Sequence, residues 1–193
     1  FSYDEAHRLV NKEYPDGSMQ GFIYDSVGRM TGATQTMSGH NTSNSFTYNA
    51  LGDVTQSIQT VDGLSWQVGY SYDYTAGATT TVYPSGTEVT HRLDAVNRLS
   101  QVLQGSSTIA TYGYNDAAGN MTLTHVNGVQ SSFETDSLYR INRIQTGIPN
   151  QPLFADYRYG YDRAGNRIYM QRGHKSGAPA DVYQYDGLYK LTN

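Results

Sequence analysis

Apolar and polar residues alternate along this chain in short runs. A recurrent pattern punctuates them: aromatic, any residue, Tyr, Asp, two residues, Gly. Phe22-Ile23-Tyr24-Asp25-Ser26-Val27-Gly28 and Tyr159-Gly160-Tyr161-Asp162-Arg163-Ala164-Gly165 are full copies, and Phe46-Thr47-Tyr48-Asn49-Ala50-Leu51-Gly52 replaces Asp with Asn. The stretches opening at Phe1 (with Tyr3 and Asp4) and at Tyr183 (with Tyr185 and Asp186) keep all but the Gly. Weaker copies centre on Asp73, Asp94, Asp116 and Asp136, so the markers fall 20 to 26 residues apart along the whole chain. No window shows apolar residues at the 3.6-residue period of a helix, whereas aromatics two apart suit the alternating faces of a strand.

The pattern has a turn chemistry. Asp at the first position of a tight turn accepts the turn's own backbone N–H groups, and Gly at the fourth takes a left-handed conformation without a Cβ clash. Midway between markers stand Asp16-Gly17, Asp62-Gly63, Ser85-Gly86 and Asn127-Gly128, each a hairpin signal between β-like runs. Less regular loops over His40–Asn44, Ile148–Pro152 and Gly173–Ala180 are expected to hold the same place elsewhere. One repeat is therefore strand, turn, strand, turn. The expected fold is all-β: a long antiparallel meander of about eight two-stranded repeats over residues 1–193, in a single array. About sixteen strands at ~4.8 Å make a sheet so broad that it must curl or spiral.

The hairpins also predict a register. Asp4 meets Arg8, Asp25 meets Arg29, Asp94 meets Arg98, Asp136 meets Arg140 and Asp186 meets Lys190, while Tyr3, Tyr24, Tyr48 and Tyr185 meet Leu9, Met30, Val54 and Leu191. Strict alternation then puts both aromatics of each motif on one face and the ion pairs on the other. Where the Gly position holds His7, Asn97, Tyr139 or Tyr189, a left-handed backbone is still required, at a cost of roughly 1–2 kcal/mol for a bulky side chain.

Composition adjusts this picture in two ways. Leu, Ile, Val and Phe make up under a fifth of the chain, a level that suggests disorder when net charge is high. Net charge is only −4, and 18 tyrosines supply the missing apolar area while keeping their hydroxyls hydrogen-bonded. The pI near 5.6 excludes the basic stripe a nucleic-acid partner needs, and no apolar run is long enough for a membrane helix. With no cysteine there is no disulfide or Cys–zinc framework. The histidines at 7, 40, 91, 125 and 174 are scattered and read as strand or loop residues. No HExxH, GxSxG or phosphate-loop pattern occurs, turn chemistry accounts for the repeated Asp residues, and neither an enzyme activity nor a cofactor is expected. Asn41-Thr42-Ser43 and Asn120-Met121-Thr122 match the glycosylation sequon, which is a short and weak pattern.

The stretches Tyr161–Arg167 and Tyr24–Met30 resemble the YD or RHS repeats of bacterial Rhs proteins, of the cocoon-forming subunits of insecticidal toxin complexes, and of animal teneurins. That resemblance implies a spiral sheet forming the wall of a secreted or cell-surface bacterial shell, enclosing a C-terminal toxin or effector domain. Its partners are then the adjoining repeats or neighbouring copies. The structural motif residues are Tyr3, Asp4, Tyr24, Asp25, Gly28, Tyr48, Asn49, Gly52, Tyr161, Asp162, Gly165, Tyr185 and Asp186. The alternative is a carbohydrate-binding or adhesive surface, with sugar rings stacked on Tyr24, Tyr48, Tyr72, Tyr114, Tyr161 and Tyr185. The chain opens at Phe1 in mid-motif and reads as an excerpt of a longer repeat region, whose uncapped ends are expected to associate with further repeats.

Overall fold

The computed structural model describes residues 1–192, and within them 17 β-strands are formed and no helix. Two compact units, Phe1–Arg92 and Leu93–Asn193, divide the chain. The first contains β1 (Ser2–Tyr3), β2 (Leu9–Glu13), β3 (Met19–Tyr24), β4 (Met30–Met37), β5 (His40–Tyr48), β6 (Val54–Val61), β7 (Leu64–Asp73), β8 (Ala78–Val82) and β9 (Glu88–Leu93), the last residue of β9 falling in the second unit. The second continues with β10 (Leu99–Gln104), β11 (Ser107–Asn115), β12 (Asn120–His125), β13 (Gln130–Thr135), β14 (Ile141–Gly147), β15 (Ala155–Tyr161), β16 (Arg167–Arg172) and β17 (Ala180–Val182). Within each unit every strand pairs antiparallel with its sequence neighbour. The turns therefore alternate between two borders of the sheet.

One border carries the Asp turns. Gly28 N–H donates to the Asp25 carbonyl at 3.1 Å and Asp25 N–H to the Arg29 carbonyl at 2.9 Å, closing a tight turn and a bulge. The same two bonds close the turns at Asp4, Asn49, Asp94, Asp136, Asp162 and Asp186. At the fourth position φ is +89° at Gly28, +95° at Gly52 and +91° at Gly165. His7, Asn97, Tyr139 and Tyr189 take +59°, +64°, +59° and +60°, as the repeat requires of them. The Asp73 turn is wider. Asp73 Oδ1 accepts the N–H groups of Thr75 and Ala76, and the left-handed residue is Gly77.

The other border departs from expectation in one place. His40–Asn44 is not a loop but the first half of β5, and the turn is Ser38-Gly39, with φ of +50° and +83°. Both values are left-handed, the signature of a two-residue hairpin turn, and Met37 pairs with His40 across it. Asp62-Gly63 repeats this geometry, and Gly105-Ser106 joins Gln104 to Ser107 across a further two-residue turn. The polar run His-Asn-Thr-Ser-Asn looks like loop sequence, but its backbone groups are satisfied by β4 and β6 on either side.

Neither unit has a second layer over its sheet. Among the described residues the buried apolar side chains are only Val102, Leu103 and Ala110, on β10 and β11, and no large side chain is fully enclosed. Most inward-leaning residues are half-buried against cross-strand neighbours. Cohesion must then come largely from the ladder itself and from contacts that tie one repeat to the next.

Candidate functional site

Those ties are concentrated where the Asp turns of successive repeats meet. The expected register is present: Tyr3 pairs with Leu9, Tyr24 with Met30, Tyr48 with Val54, and Tyr185 with Leu191. Arg8 meets Asp4 at 2.7 Å, Arg29 meets Asp25 at 2.6 Å, Arg98 meets Asp94 at 2.9 Å and Arg140 meets Asp136 at 2.7 Å. In the last copy the contact is instead the Lys190 backbone N–H on Asp186 Oδ1, at 2.9 Å. The carboxylates of Asp4, Asp25, Asp94 and Asp136 are held below the usual range. At Asp4 the main cause is the Arg8 backbone N–H, followed by the Arg8 side chain, against some desolvation; at Asp136 it is the Arg140 guanidinium.

The two-face arrangement does not hold. Each arginine lies not opposite the aromatics but over the tyrosine of the following repeat. The Arg8 guanidinium sits 4.7 Å from the Tyr24 ring centre, Arg29 4.7 Å from Tyr48, Arg98 4.1 Å from Tyr114, and Arg140 4.7 Å from Tyr161. The reason is the bulge. The register shifts at Ser2/Tyr3, Ile23/Tyr24 and Glu134/Thr135, so an extra residue interrupts the alternation in the strands that follow Arg8, Arg29 and Arg140.

The junction is reciprocal. Arg8 Nη1 donates to the Asp25 carbonyl at 3.1 Å, while the Tyr24 hydroxyl donates back to the Leu9 carbonyl at 3.0 Å. Arg29 reaches the Asn49 carbonyl at 3.1 Å, and Tyr48 answers on the Met30 carbonyl at 2.5 Å. Arg140 reaches the Asp162 carbonyl at 3.0 Å, and Tyr161 answers on the Ile141 carbonyl at 2.6 Å. The hydroxyls of Tyr72, Tyr114 and Tyr185 make the same return bond to Val54, Leu99 and Arg167 at 2.7, 2.8 and 3.0 Å. All six candidate sugar-stacking tyrosines are thus half-buried and hydrogen-bonded into the preceding repeat. The sequence pairs each arginine with the Asp of its own turn but misses its second contact, with the tyrosine of the following repeat.

Irregular junctions rebuild the same contact with other groups. After Asn49 comes Asp53 rather than Arg, and Tyr74 replaces the missing guanidinium. Its ring stacks on Tyr72 at 5.9 Å with 9° between planes, and its hydroxyl donates to Asp53 Oδ2 at 2.5 Å while accepting Asn49 Nδ2 at 2.7 Å. The Asp53 carboxylate raises the Tyr74 hydroxyl above the ordinary phenol range. Asp116 is not the turn residue expected of it: Asn115 begins that turn, accepting Ala118 N–H at 3.2 Å, and the exposed Asp116 side chain pairs with Arg98. Thr135 stands where Tyr is usual, and its hydroxyl donates to the Gly119 carbonyl at 2.9 Å.

A second cluster was not visible in the repeat at all. Asp156 on β15 is buried, and Arg143 on β14 clasps it through Nε at 2.8 Å and Nη2 at 3.0 Å. Its backbone N–H donates to His174 Nδ1 at 3.0 Å, and the His174 ring meets Tyr157 edge-on at 5.1 Å. The Arg143 guanidinium holds the Asp156 carboxyl low. This cluster fastens the loop after β16 to β15, since Gly173 N–H also donates to the Asp156 carbonyl at 2.8 Å.

A family model described as the teneurin YD-shell matches residues 1–187. The chain belongs to that family. No curated protein sequence matches it. The fold of this YD-shell chain is similar to the crystal structure of TcdB2-TccC3-TEV, with a TM-score of 0.68 and 16% identity, over 98% of this chain and 12% of that one. It is similar also to the crystal structure of TcdB2-TccC3, with a TM-score of 0.67 and 17% identity, over 96% of this chain and 12% of that one. The YD-shell chain therefore spans only 12% of the length of each of these two chains.

Proposed function

We propose that this chain is a stretch of wall in a larger secreted or cell-surface β-shell, built as one array of repeats over residues 1–193 and continued by adjoining repeats. The observation that supports this most is the reciprocal tyrosine–arginine junction. It spends the most chemically capable side chains of each repeat on holding the next repeat. A single-layer sheet with so little buried apolar area suits a wall better than a free-standing domain. The enclosed cargo in this reading is a toxin or effector domain at the C-terminal side of the longer protein.

The carbohydrate reading of the same tyrosines has less support. Six hydroxyls are committed to backbone carbonyls, and four rings have a guanidinium over one face.

The test is electron microscopy of the full-length protein combined with protease challenge. The expected result is a hollow particle whose interior domain resists digestion until Tyr24, Tyr48 and Tyr161 are changed to Ala. A solid particle, or a cargo domain cut equally fast before and after those changes, refutes the wall reading. Glycan binding lost in the same variants would favour the carbohydrate surface.

A further inference from the structure

Directly paired residues on neighbouring strands share a face of the sheet. On one face of the second unit, Glu134 of β13, Arg143 of β14 and Arg158 of β15 follow one another in this way. Two residues beyond Arg158, Gly160 pairs with Tyr169 of β16. A Cβ on Gly160 would collide with the Tyr169 ring, so the glycine lets that ring lie across the sheet. Here the face carries a hollow of about 240 Å³, lined by Glu134, Asn142, Arg143, Arg158, Tyr159 and Tyr169. Its polar groups are under-used. Arg143 is committed to Asp156, at 2.8 and 3.0 Å. Arg158 is half exposed and has only a long contact to Asp156 Oδ2, at 3.5 Å. The Glu134 carboxylate has only Arg143 Nη1, at 3.9 Å, and the Tyr169 hydroxyl has no partner among the described residues. Asn142 is the extra residue of the β14 bulge, and its Oδ1 is shut off from water with no hydrogen-bond partner.

We propose that this hollow binds a free α-amino acid with an aromatic side chain. The charges select a zwitterion. Arg143 and Asp156 neutralise each other, which leaves one cation, Arg158, and one anion, Glu134, facing the same space. A simple anion or cation satisfies one of them and is repelled by the other. The spacing selects charges close together. Glu134 and Arg158 are two strands apart, about 9.6 Å, and an ammonium and a carboxylate on one carbon, with a hydrogen bond of ~2.8 Å at each end, bridge about that gap. Arg158 then takes the ligand carboxylate through paired N–H groups, and Glu134 accepts from the ammonium. Asn142 Oδ1 can turn to the same ammonium without giving up a bond it now makes. Tyr169, 39% exposed, offers its open face to the aromatic ring of the ligand. The hollow is smaller than the roughly 300–1,000 Å³ of sites for larger molecules, which suits one amino acid better than a peptide. The site lies within one unit and is independent of the wall reading, so neither stands or falls with the other.

Isothermal titration calorimetry of the 193-residue chain with L-phenylalanine provides the test. Saturable one-to-one binding is expected, with a dissociation constant on the order of 0.1–1 mM. Two analogues dissect the ligand on the unaltered protein, so the test does not depend on any variant folding. L-phenylalaninamide lacks the carboxylate and 3-phenylpropionate lacks the ammonium, and each should bind about tenfold or more weakly. Arg158→Gln, Glu134→Gln and Tyr169→Ala should each weaken L-phenylalanine binding by about tenfold with unchanged far-ultraviolet circular dichroism, whereas Arg163→Gln, in a turn away from the hollow, should not. Absence of saturable binding overturns the proposal. So does 3-phenylpropionate binding as tightly as L-phenylalanine (a simple anion site), or affinity unchanged in folded Arg158→Gln and Glu134→Gln.

Discussion

If the junction tyrosines hold repeats together through their hydroxyls, then replacing Tyr24, Tyr48 and Tyr72 together by Phe should loosen the first unit without disturbing its packing. Each change keeps the ring, and with it the guanidinium of Arg8 or Arg29 or the stacked ring of Tyr74. Each removes one donor and leaves the carbonyl of Leu9, Met30 or Val54 short of a partner. A net hydrogen bond contributes roughly 0.5–1.5 kcal/mol, and at a half-buried border, where water reaches part of the carbonyl, the lower half of that range applies. The three sites lie one repeat apart and share no partner, so their effects should add to about 1.5–3 kcal/mol. For a unit of this size the expected fall in melting temperature is on the order of 10 °C. Thermal and urea denaturation followed by circular dichroism provides the measurement. Tyr83→Phe is the control, because that hydroxyl has no hydrogen-bond partner among the described residues and its loss should stay within about 0.5 kcal/mol. A triple variant as stable as the parent would show the hydroxyls to be idle and the ties to be carried by the rings alone.

Backbone strain gives an opposed pair: Tyr139→Gly relieves a left-handed tyrosine that is 79% exposed and should stabilise by about 0.5–1 kcal/mol, whereas Gly52→Ala should destabilise by about 1 kcal/mol. No atom lies within 4 Å of the new Gly52 Cβ, so urea midpoints for that variant report backbone strain alone. Asp156→Asn should cost about 1.5–3 kcal/mol in the second unit. Because the Asp156 pKa is lowered by folding, its contribution is present above the unfolded-state pKa and lost as pH falls through the folded one, so the variant should lose less stability than the parent on acidification. His40, 2.7 Å from Asp62, is raised above the ordinary imidazole range by that hydrogen bond and charge. The stability it adds is full below the unfolded imidazole pKa and fades as pH rises through the raised one. An NMR titration should show the His40 pKa falling in Asp62→Asn, and no change there would refute the link.

The register of the hairpins was legible because Asp and the left-handed residue fix the turn, and the turn fixes which residues face each other. Tyr139 and Tyr189 were readable for the same reason: the pattern demands a conformation their side chains do not favour. What could not be read was anything set by the neighbouring repeat. Strict alternation assigned Arg29 to the wrong face because the bulge that displaces it belongs to the paired geometry, not to either strand alone. Asn115 lost its place to Asp116 in the motif count because Asn and Asp do the same work at the head of a turn. His40–Asn44 looked like loop because its residues are polar, whereas both flanking strands pair with it. The Asp156–Arg143–His174 cluster joins two strands and a loop that share no spacing rule.

The reciprocal junction also has a direction. Arg8, Arg29 and Arg140 reach forward to the next repeat and the hydroxyls of Tyr24, Tyr48 and Tyr161 reach back, so each of these joints is complete in itself. A gene segment encoding one repeat can be duplicated or deleted and the flanking halves will still meet. The length of such a sheet is then free to drift by whole repeats without any new contact having to arise.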